Sequence, residues 1–490
     1  MDKGLNDILF DGMTAYSKQD LVPLFQSYLG KEISLASIYT IARALTSKYR
    51  NDGYILAQVI VPPQRVREGA VRLQVLEGYI DRVEFQGDAI DRPSLVHAYA
   101  AKIKASRPLR ADVLERYLLL LNDLPGMVAR GTLAPAAHQQ GASDLIITVS
   151  QRRLGASLEV DNHASEFLGP WQATLDLAAH SALGLYENTA LSLVSSLGND
   201  ELYFGSLSHE QPLGSEGTRV KLYASGVDAE PGVALLDIET RSLSTGITVS
   251  HPIIRERTNN LYVRGGFTYF NGVTEPLGVI LSDDRIRAFR AGVTYDLLDG
   301  WYGSNVLDLE LAQGVDVLDA TDDDSPDASR LGAPAEFTKL NLYAARVQSI
   351  TPSWSVLAAV TGQYAFNNLL SPEEFSYGGE PFGRGYDPSE LVGDAGGALQ
   401  LELRYQGPHV TDWVNDYQAY GFYDAGKVWR RDPAIGEKAN ESAMSAGVGL
   451  RLNLGYGITG YVEFAQPLTR DVSEQGDDGG RFFGGIAATY

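Results

Sequence analysis

Apolar and polar residues alternate along most of the chain after residue 153, as they do in β-strands whose two faces meet different surroundings. The segment Ala398–Gln406 carries leucine at three alternate positions with charged or amide side chains between them, and Asn305–Gly314 and Val448–Leu454 repeat the pattern. Because successive side chains on a strand point to opposite faces, lipid outside and water inside a membrane barrel would suit both faces. A soluble β-sandwich also has alternating strands, so alternation alone leaves both architectures open.

The number and spacing of the alternating segments distinguish these two architectures. Sixteen strands are predicted, centred near residues 160, 174, 191, 206, 222, 247, 265, 291, 309, 342, 360, 402, 422, 449, 463 and 486. An even number of strands is typical of single-chain bacterial barrels, which also have long connections on one rim and short turns on the other. Connections after odd-numbered strands are often long and polar, as in residues 317–336, 367–395, 426–441 and 469–481. The pattern therefore favours a membrane barrel that the chain enters from the short-turn side.

The first 150 residues follow a different pattern, in which the order strand, helix, helix, strand, strand occurs twice. The first copy is predicted over Leu5–Phe10, Lys18–Leu29, Ser34 to Gly53, Tyr54–Val61 and Ala70–Leu76. The second is predicted over Ile80–Phe85, a helix opened by Asp91-Arg92-Pro93 and ending near Ile103, Arg110–Asn122, Met127–Leu133 and Leu145–Val149. A repeated unit of this kind indicates two small α+β modules in tandem.

Composition excludes several classes of protein. The chain has no run of 18 or more apolar residues, so a transmembrane helix is not predicted. It has no cysteine, which excludes zinc-thiolate sites, thiol nucleophiles and disulfides. Its net charge of −22 disfavours sequence-independent binding of nucleic acid. The start, Met1-Asp2-Lys3, lacks the apolar segment of a signal peptide, so we expect a mature or trimmed form.

Groups that could form a catalytic or metal site are few. The run Asp322-Asp323-Asp324 with Asp327 offers carboxylates for calcium, but it lacks the spacing of an EF-hand and is better interpreted as solvated loop charge. His163, His180 and His209 fall on different predicted strands. The sequence therefore predicts no enzyme activity, no metal and no cofactor.

One long connection has an unusual composition. Residues 376–386, Ser-Tyr-Gly-Gly-Glu-Pro-Phe-Gly-Arg-Gly-Tyr, lie between the eleventh and twelfth predicted strands, and five glycines occur between residues 378 and 393. Glycine allows the backbone to turn sharply and to enter a confined space. An ordinary glycine-rich surface loop would have the same composition.

This segment resembles the Arg-Gly-Tyr/Phe motif in the sixth extracellular loop of the Omp85 superfamily, and it is most similar to the two-partner-secretion transporters (TpsB) that export haemolysins and filamentous haemagglutinins. The first module also resembles this family at Gly53-Tyr54, Pro62–Gln64 and Leu76-Glu77-Gly78, and the second ends in a similar phrase at 141–146. The resemblance covers nearly the whole chain. It implies a 16-stranded transmembrane β-barrel at 154–490 with loop 367–395 folded inward, preceded by two α+β POTRA domains at 1–78 and 79–153.

The resemblance also implies a specific pair of residues inside the barrel. In the family, the arginine of the loop meets an aspartate on the inner wall, and the matching aspartate here is Asp424, within Gly421-Phe-Tyr-Asp-Ala-Gly426. The loop motif comprises Gly383, Arg384, Gly385 and Tyr386. A lone charge in a confined lumen is costly, and a hydrogen-bonded partner offsets that cost. The chain departs from the family at Gly383, where a β-branched residue is common, at its terminal Tyr490, and in lacking the N-terminal plug helix and linker.

The function implied is export of a large β-helical partner protein, in unfolded form, by a monomer in the Gram-negative outer membrane with its POTRA domains in the periplasm. An extended partner segment would pair with an exposed strand edge of a POTRA domain or lie along a groove between a helix and a strand. Candidate contacts are Tyr54, Ile55, Gln58 and Val59 in the first module and Val128 and Arg130 in the second. Alternatives are an assembly factor that inserts outer-membrane proteins, which usually carries more POTRA domains, a porin, an outer-membrane enzyme, or a soluble β-rich binding protein.

Overall fold

The computed structural model of the protein describes residues 4–66, 68–88, 94–137, 139–198, 201–232, 237–323, 325–409, 411 and 413–490. The chain forms two compact units. The first comprises residues 1–152 with 255–257, and the second comprises residues 153–254 with 258–490. No helix in the described ranges combines the length and the apolar character needed to cross a membrane.

The first module of the N-terminal unit is a three-stranded sheet with one long helix packed on it. Its elements are β1 (Asp7–Asp11), α1 (Lys18–Leu21), 3-10 turns at Val22–Leu24 and Gln26–Tyr28, α2 (Leu35–Asn51), β2 (Gln58–Ile60) and β3 (Ala70–Leu76), and the sheet order is β1-β3-β2. Ser34 caps α2 by accepting a hydrogen bond from the Ser37 N–H at 3.2 Å. The buried face of α2 carries Ile38, Ile41, Ala42, Leu45 and Tyr49 at helical spacing. This face covers the buried side chains of β3 in one continuous core.

Two predicted elements of this module are wrong in extent. The helix predicted over Lys18–Leu29 stops as an α-helix at Leu21, because Pro23 cannot donate a backbone hydrogen bond and 3-10 turns follow. The strand predicted over Tyr54–Val61 is reduced to β2. Its first residues form a turn instead, in which the Tyr54 N–H donates to the Tyr49 carbonyl and the Ala57 N–H donates to the Tyr54 carbonyl, both at 2.9 Å.

The second module repeats the same architecture. Its elements are β4 (Tyr79–Gly87), α3 (Leu95–Ala105), α4 (Ala111–Asn122), β5 (Met127–Pro135) and β6 (Ala142–Gln151), with sheet order β4-β6-β5. The predicted helix start at Asp91-Arg92-Pro93 lies outside the described residues. Leu145, Ile147 and Val149 of β6 are buried at alternate positions, so one face of the central strand is fully covered.

The second unit is a closed barrel of sixteen strands, with the first strand hydrogen-bonded to the last. Its strands are β7 (Leu154–Asp161), β8 (Gln172–His180), β9 (Asn188–Ser196), β10 (Leu202–Leu213), β11 (Thr218–Ala229), β12 (Ile238–Arg255), β13 (Asn259–Pro276), β14 (Ser282–Leu298), β15 (Gly303–Gly314), β16 (Thr338–Ser349), β17 (Trp354–Ala365), β20 (Ala395–Gly407), β21 (Asp416–Trp429), β22 (Asn440–Gly455), β23 (Ile458–Pro467) and β24 (Arg481–Thr489). A 3-10 turn at Glu166–Leu168 lies between β7 and β8. Every predicted strand centre falls within one of these strands, so the predicted barrel is confirmed.

The two faces of the barrel strands exclude the soluble sandwich. On β20, Leu401 and Leu403 are 39% and 47% exposed, whereas Glu402 between them is 1% exposed. A sandwich would bury the leucines and expose the glutamate. The observed arrangement is that of a barrel with an apolar outer surface and a polar interior.

The connection between β17 and β20, residues 366–394, is called the inward loop below because the Arg384 side chain and the Gly385 N–H donate hydrogen bonds to inward-facing side chains of the wall. It contains a 3-10 turn at Ser371–Glu373 and a short antiparallel hairpin of β18 (Phe375–Tyr377) and β19 (Leu391–Gly393). The tip of the loop, residues 378–390, lies between the two short strands and carries the Arg-Gly-Tyr sequence.

Candidate functional site

The wall beneath the loop tip is built by the register of four neighbouring strands. Gln400 of β20 lies opposite Asp424 of β21, and Glu402 lies opposite Phe422. Because side chains alternate along a strand, Asp424 and Glu402 both point into the barrel. Glycines of β22 leave room for large neighbours: a Cβ on Gly447 would lie 2.4 Å from the ring of Phe422.

Arg384 forms the centre of the contact between loop and wall. Its Nε donates to Asp424 Oδ2 at 3.0 Å and its Nη2 donates to Asp424 Oδ1 at 2.9 Å, so the pair is bidentate. Its Nη1 donates to Glu402 Oε2 at 2.8 Å. The guanidinium carbon lies 3.5 Å from the centre of the Phe422 ring, within cation–π range. We call Arg384, Asp424 and Glu402 the latch, and all three are at most 1% exposed.

The backbone of the tip completes the contact. The N–H groups of Gly383 and Arg384 donate to Asp424 Oδ2 at 3.3 and 3.2 Å. Gly383 has φ +108, a conformation that glycine adopts without strain. Tyr386 donates its hydroxyl to the Met444 carbonyl at 3.0 Å and is buried. The structure thus brings the four motif residues of the loop onto the same patch of wall as Asp424.

A wider network of charges surrounds the latch. Glu402 Oε1 accepts hydrogen bonds from Arg404 Nε and from Arg451 Nη1, both at 2.7 Å. Glu463 Oε2 lies 3.5 Å from Arg384 Nη1 and accepts from the Tyr420 hydroxyl at 2.8 Å. Removing one partner from a buried ion pair costs about 3–5 kcal/mol, because the remaining charge is left unpaired. The network therefore specifies one position for the loop tip.

Glu402 and Glu463 were not predicted as partners of Arg384. Each was recognisable as an inward-facing residue, because each is a charge between apolar neighbours on a strand. Their proximity to Arg384 depends on the register of β20 to β23 and on the path of the loop. A single sequence does not encode that register in any local pattern.

The candidate residues of the first module lie at the edge of its sheet. Gln58 is exposed and Ile55 is 36% exposed, whereas the Val59 side chain is buried in the core and offers a partner only its backbone. That backbone is already engaged, since the Val59 N–H donates to Thr46 Oγ1 at 3.0 Å. Tyr54 packs edge-on against the Tyr16 and Tyr49 rings. Helix α2 therefore covers part of the β2 edge.

The candidate residues of the second module lie on β5, which is also an edge strand. Val128 is 51% exposed and Arg130 is exposed. Between them, Ala129 exchanges two hydrogen bonds of 2.9 Å with the side-chain amide of Asn122. The strand continues past this point to Pro135.

Glu77 has a structural role in the sequence Leu76-Glu77-Gly78 at the end of the first module. Its carboxylate accepts from the Thr14 and Ala15 N–H groups and from the Tyr49 hydroxyl, each at 2.8 Å. Burial by itself raises the pKa of Glu77, but the hydrogen bonds from Ala15, Thr14 and Tyr49 outweigh it and hold the pKa below its usual value. Burial and the Glu77 carboxylate raise the pKa of Tyr49, which therefore stays a neutral donor. The motif is thus explained structurally, by anchoring the segment between β1 and α1.

Comparison with known families gives two matches that together span both units. A model described as "Haemolysin secretion/activation protein ShlB/FhaC/HecB" matches residues 141–452. A model described as "POTRA domain, ShlB-type" matches residues 4–78. The first covers well over half of the chain.

Individual proteins show the same relationship. The heme/hemopexin transporter protein HuxB of Haemophilus influenzae strain 86-028NP is 23% identical over 467 residues, covering 92% of this chain and 81% of that protein. The hemolysin transporter protein HpmB of Proteus mirabilis is 25% identical over 432 residues, covering 82% of this chain and 72% of that protein. The solved structure of CdiB from Escherichia coli superimposes with a TM-score of 0.82 at 18% identity, covering 100% of this chain and 90% of that one.

Proposed function

Since this chain belongs to the family of haemolysin secretion/activation proteins ShlB/FhaC/HecB, it is a protein transporter of the outer membrane, and we propose that its N-terminal modules recognise one unfolded partner protein for passage through the barrel. Its POTRA domains lie in the periplasm. The partner is a large secreted exoprotein, β-helical as the resemblance implies. The observation that carries the proposal is a closed barrel whose interior is entered by a loop whose tip is held against the wall by the Arg384 guanidinium.

The chain divides by role into three parts. Residues 1–78 and 79–153 are the recognising domains and residues 154–490 are the conduit. Two observations support these boundaries: the POTRA match ends at residue 78, and the two compact units meet between Arg152 and Arg153. We also propose that the transporter acts as a monomer, since the barrel closes on its own first and last strands and needs no second chain to complete it.

Recognition uses the edge of β5 rather than that of β2. An extended partner segment needs free backbone groups on a strand edge. At β2, Thr46 of α2 accepts from the Val59 N–H, and Arg50 of α2 donates to the carbonyl of Ala57, the residue before the strand. On β5, Asn122 engages Ala129 and the strand runs on to Pro135. Exposed Val128 and Arg130 then flank the incoming segment.

The latch allows two arrangements of the barrel interior, one with the loop tip bound to the wall and one with the tip displaced. With Arg384 bound to Asp424 the tip occupies the lumen beside the β20–β23 wall. Displacement of the tip would leave a polar passage for an extended chain, in which Glu402 stays paired with Arg404 and Arg451. Residues 421–427 have the spacing Gly-x-x-x-x-Gly-Lys, but Val428 follows where an ATP-binding loop has Ser or Thr, and the segment lies within β21 instead of in a loop before a helix. Folding of the partner outside the cell is therefore the proposed source of free energy for transport.

The test compares proteins in the medium of the source bacterium with and without this chain, by mass spectrometry. The proposal expects loss of one large exoprotein, restored by a plasmid-borne copy of the unsubstituted chain. A general decrease in outer-membrane barrels with an unchanged medium would instead indicate an assembly factor. That alternative is not favoured, because both matched families are of the secretion type.

A further inference from the structure

The inward loop is held at a second place, at its two roots near the ends of β17 and β20. Asp394, the last residue of the loop, is fully buried. Its Oδ1 accepts from Arg330 Nη1 at 2.6 Å and from the Leu369 N–H at 2.7 Å. Its Oδ2 accepts from the Arg431 N–H at 2.7 Å and from Arg330 Nη2 at 3.2 Å. We call Asp394 and Arg330 the root clamp.

The root clamp joins three separate connections of the barrel. Arg330 comes from the connection between β15 and β16, Arg431 from that between β21 and β22, and Leu369 from the start of the inward loop. Arg330 also donates to the Leu369 carbonyl at 3.0 Å and to the Arg431 carbonyl at 3.1 Å. One buried carboxylate and one guanidinium therefore fix both roots of the loop to its neighbours. A carboxylate with four charge-assisted or backbone hydrogen bonds is strongly held in place.

The first root of the inward loop, which follows β17, makes a further ionic contact. Glu373 is buried and accepts from Arg290 Nη2 at 2.5 Å, and its other oxygen lies 2.7 Å from Lys339 Nζ. The Gln363 amide bridges the roots, since it donates to the Glu373 carbonyl at 2.9 Å and to the Asp394 carbonyl at 3.2 Å. None of these residues belongs to the latch.

Between the roots and the tip, the arm formed by β18 and β19 lies flat on the wall. A Cβ on Gly396 would lie 2.0 Å from the Phe375 ring, and a Cβ on Gly426 would lie 2.1 Å from the Tyr377 ring. These glycines let the two rings of the arm pack directly on β20 and β21. The arm thus has its own contacts with the wall, independent of Arg384.

We infer that Asp394 is a positioning residue, which holds the arm of the inward loop against the wall so that release of the latch frees the tip and leaves the arm in place. The side chains that hold the roots are distinct from those that hold the tip, and the arm separates the two sets. Opening the passage then requires movement of residues 378–390 alone. The consequence for transport rests on the proposed function, whereas the separate anchoring of arm and tip does not.

The test uses nitroxide labels in a chain that contains no native cysteine. Ser376→Cys labels the arm and Ser389→Cys labels the tip, and both side chains are exposed. Spectra of the purified, membrane-reconstituted full chain are compared in the unsubstituted background and with Asp424→Asn or Asp394→Asn. No secreted partner is needed, so the result is independent of the proposed function.

We expect Asp424→Asn to reduce the immobilised component at the tip, where Asp387 and Glu390 keep their own contacts with Arg481 and Arg470, and to leave the arm spectrum unchanged. Asp394→Asn should abolish the immobilised component at the arm, and Arg330→Gln should do the same from the other side of the clamp. Arg330→Lys keeps the positive charge, so its arm spectrum should retain part of the immobilised component that Arg330→Gln loses. Asp319→Asn is the control. Asp319 lies in the same connection as Arg330, and its exposed carboxylate pairs with Arg285, so its removal should change neither spectrum.

Two results would overturn the inference. One is an arm as immobile in both clamp variants as in the unsubstituted chain, with a folded barrel shown by its heat-dependent migration in gels. The other is equal mobilisation of arm and tip by Asp424→Asn, which would mean that the latch alone holds the whole loop. If Asp394→Asn does not fold, the Arg330→Gln spectrum decides between these outcomes.

Discussion

Arg384 and Asp424 are 40 positions apart in the sequence, yet the guanidinium of one lies against the carboxylate of the other in a fully buried bidentate pair. A pair without solvent contact contributes little net stability, since desolvation of both charges offsets their attraction, but loss of one partner is costly. The pair therefore fixes where the loop tip lies more than it stabilises the barrel.

Asp424→Asn should weaken the hold on the tip while the barrel stays folded. The change removes the charge that pairs with Arg384 and is expected to cost about 3–5 kcal/mol in the latched arrangement. Thiol labelling of Ser389→Cys in intact vesicles measures the effect, and the rate should rise. Asp319→Asn serves as the control, because its carboxylate is 82% exposed and far less costly to remove. Equal rates in the two variants would count against the latch.

Gly385→Ala should displace the tip through steric contact alone. A Cβ at this position would lie 2.7 Å from the Ser445 Cβ and 3.1 Å from the Pro467 nitrogen. No charge is altered, so the variant separates close packing from electrostatics. Gly265→Ala is the matched control, because a Cβ there meets no atom within 4 Å. The labelling rate at Ser389→Cys should rise in the first variant only, and an increase in both would contradict the packing argument.

Glu77 should make the stability of the first module depend on pH. Its pKa in the folded chain is below its usual value, so the stability it contributes is present above the unfolded pKa and is lost as the pH falls through the folded pKa. Glu77→Gln should lower the free energy of unfolding at pH 7 by about 1–3 kcal/mol, the cost of unsatisfied buried donors. Urea titration of the full chain, followed by the helical circular dichroism signal, measures this. The difference between variant and unsubstituted chain should vanish in acid, and a constant difference at all pH values would refute the assignment.

Val128→Asp should reduce export of the partner without destabilising the second module. The side chain is 51% exposed on edge strand β5, so a charge there opposes docking of an apolar segment rather than folding. The amount of exoprotein in the medium measures the effect. Leu35→Asp is the control, because Leu35 is an apolar residue of the first module with 59% exposure. Equal secretion by both variants would show that β5 is not part of the surface that recognises the partner.

The sequence predicted the barrel better than it predicted the modules before it. Alternation with a period of two is enforced along every barrel strand by lipid on one side and water on the other, so each strand centre was correct. In the first module the apolar pattern from Lys18 to Leu29 is helical, but Pro23 divides the segment into an α-helical turn and 3-10 turns. Likewise, the residues that were predicted as the first part of a longer β2 form the turn after α2 instead.

The chemistry around the loop was only partly predictable. The Arg-Gly-Tyr sequence and the glycines marked residues 376–386 as unusual, and the resemblance to a family suggested Asp424 as a partner. Glu402 and Asp394 gave no comparable signal, because each acquires its partners from strands or connections far away in the sequence. Such contacts depend on strand register and loop path, which only the folded barrel defines.

Single-channel conductance in a planar bilayer tests the central claim most directly. The unsubstituted chain is compared with Arg384→Ala and Asp424→Ala, which break the same pair from opposite sides. We predict discrete channels whose conductance is altered in the same direction by both substitutions, because each releases the same loop tip. An absence of channels from a chain that stays soluble and monomeric without detergent, or channels unchanged by either substitution, would contradict it.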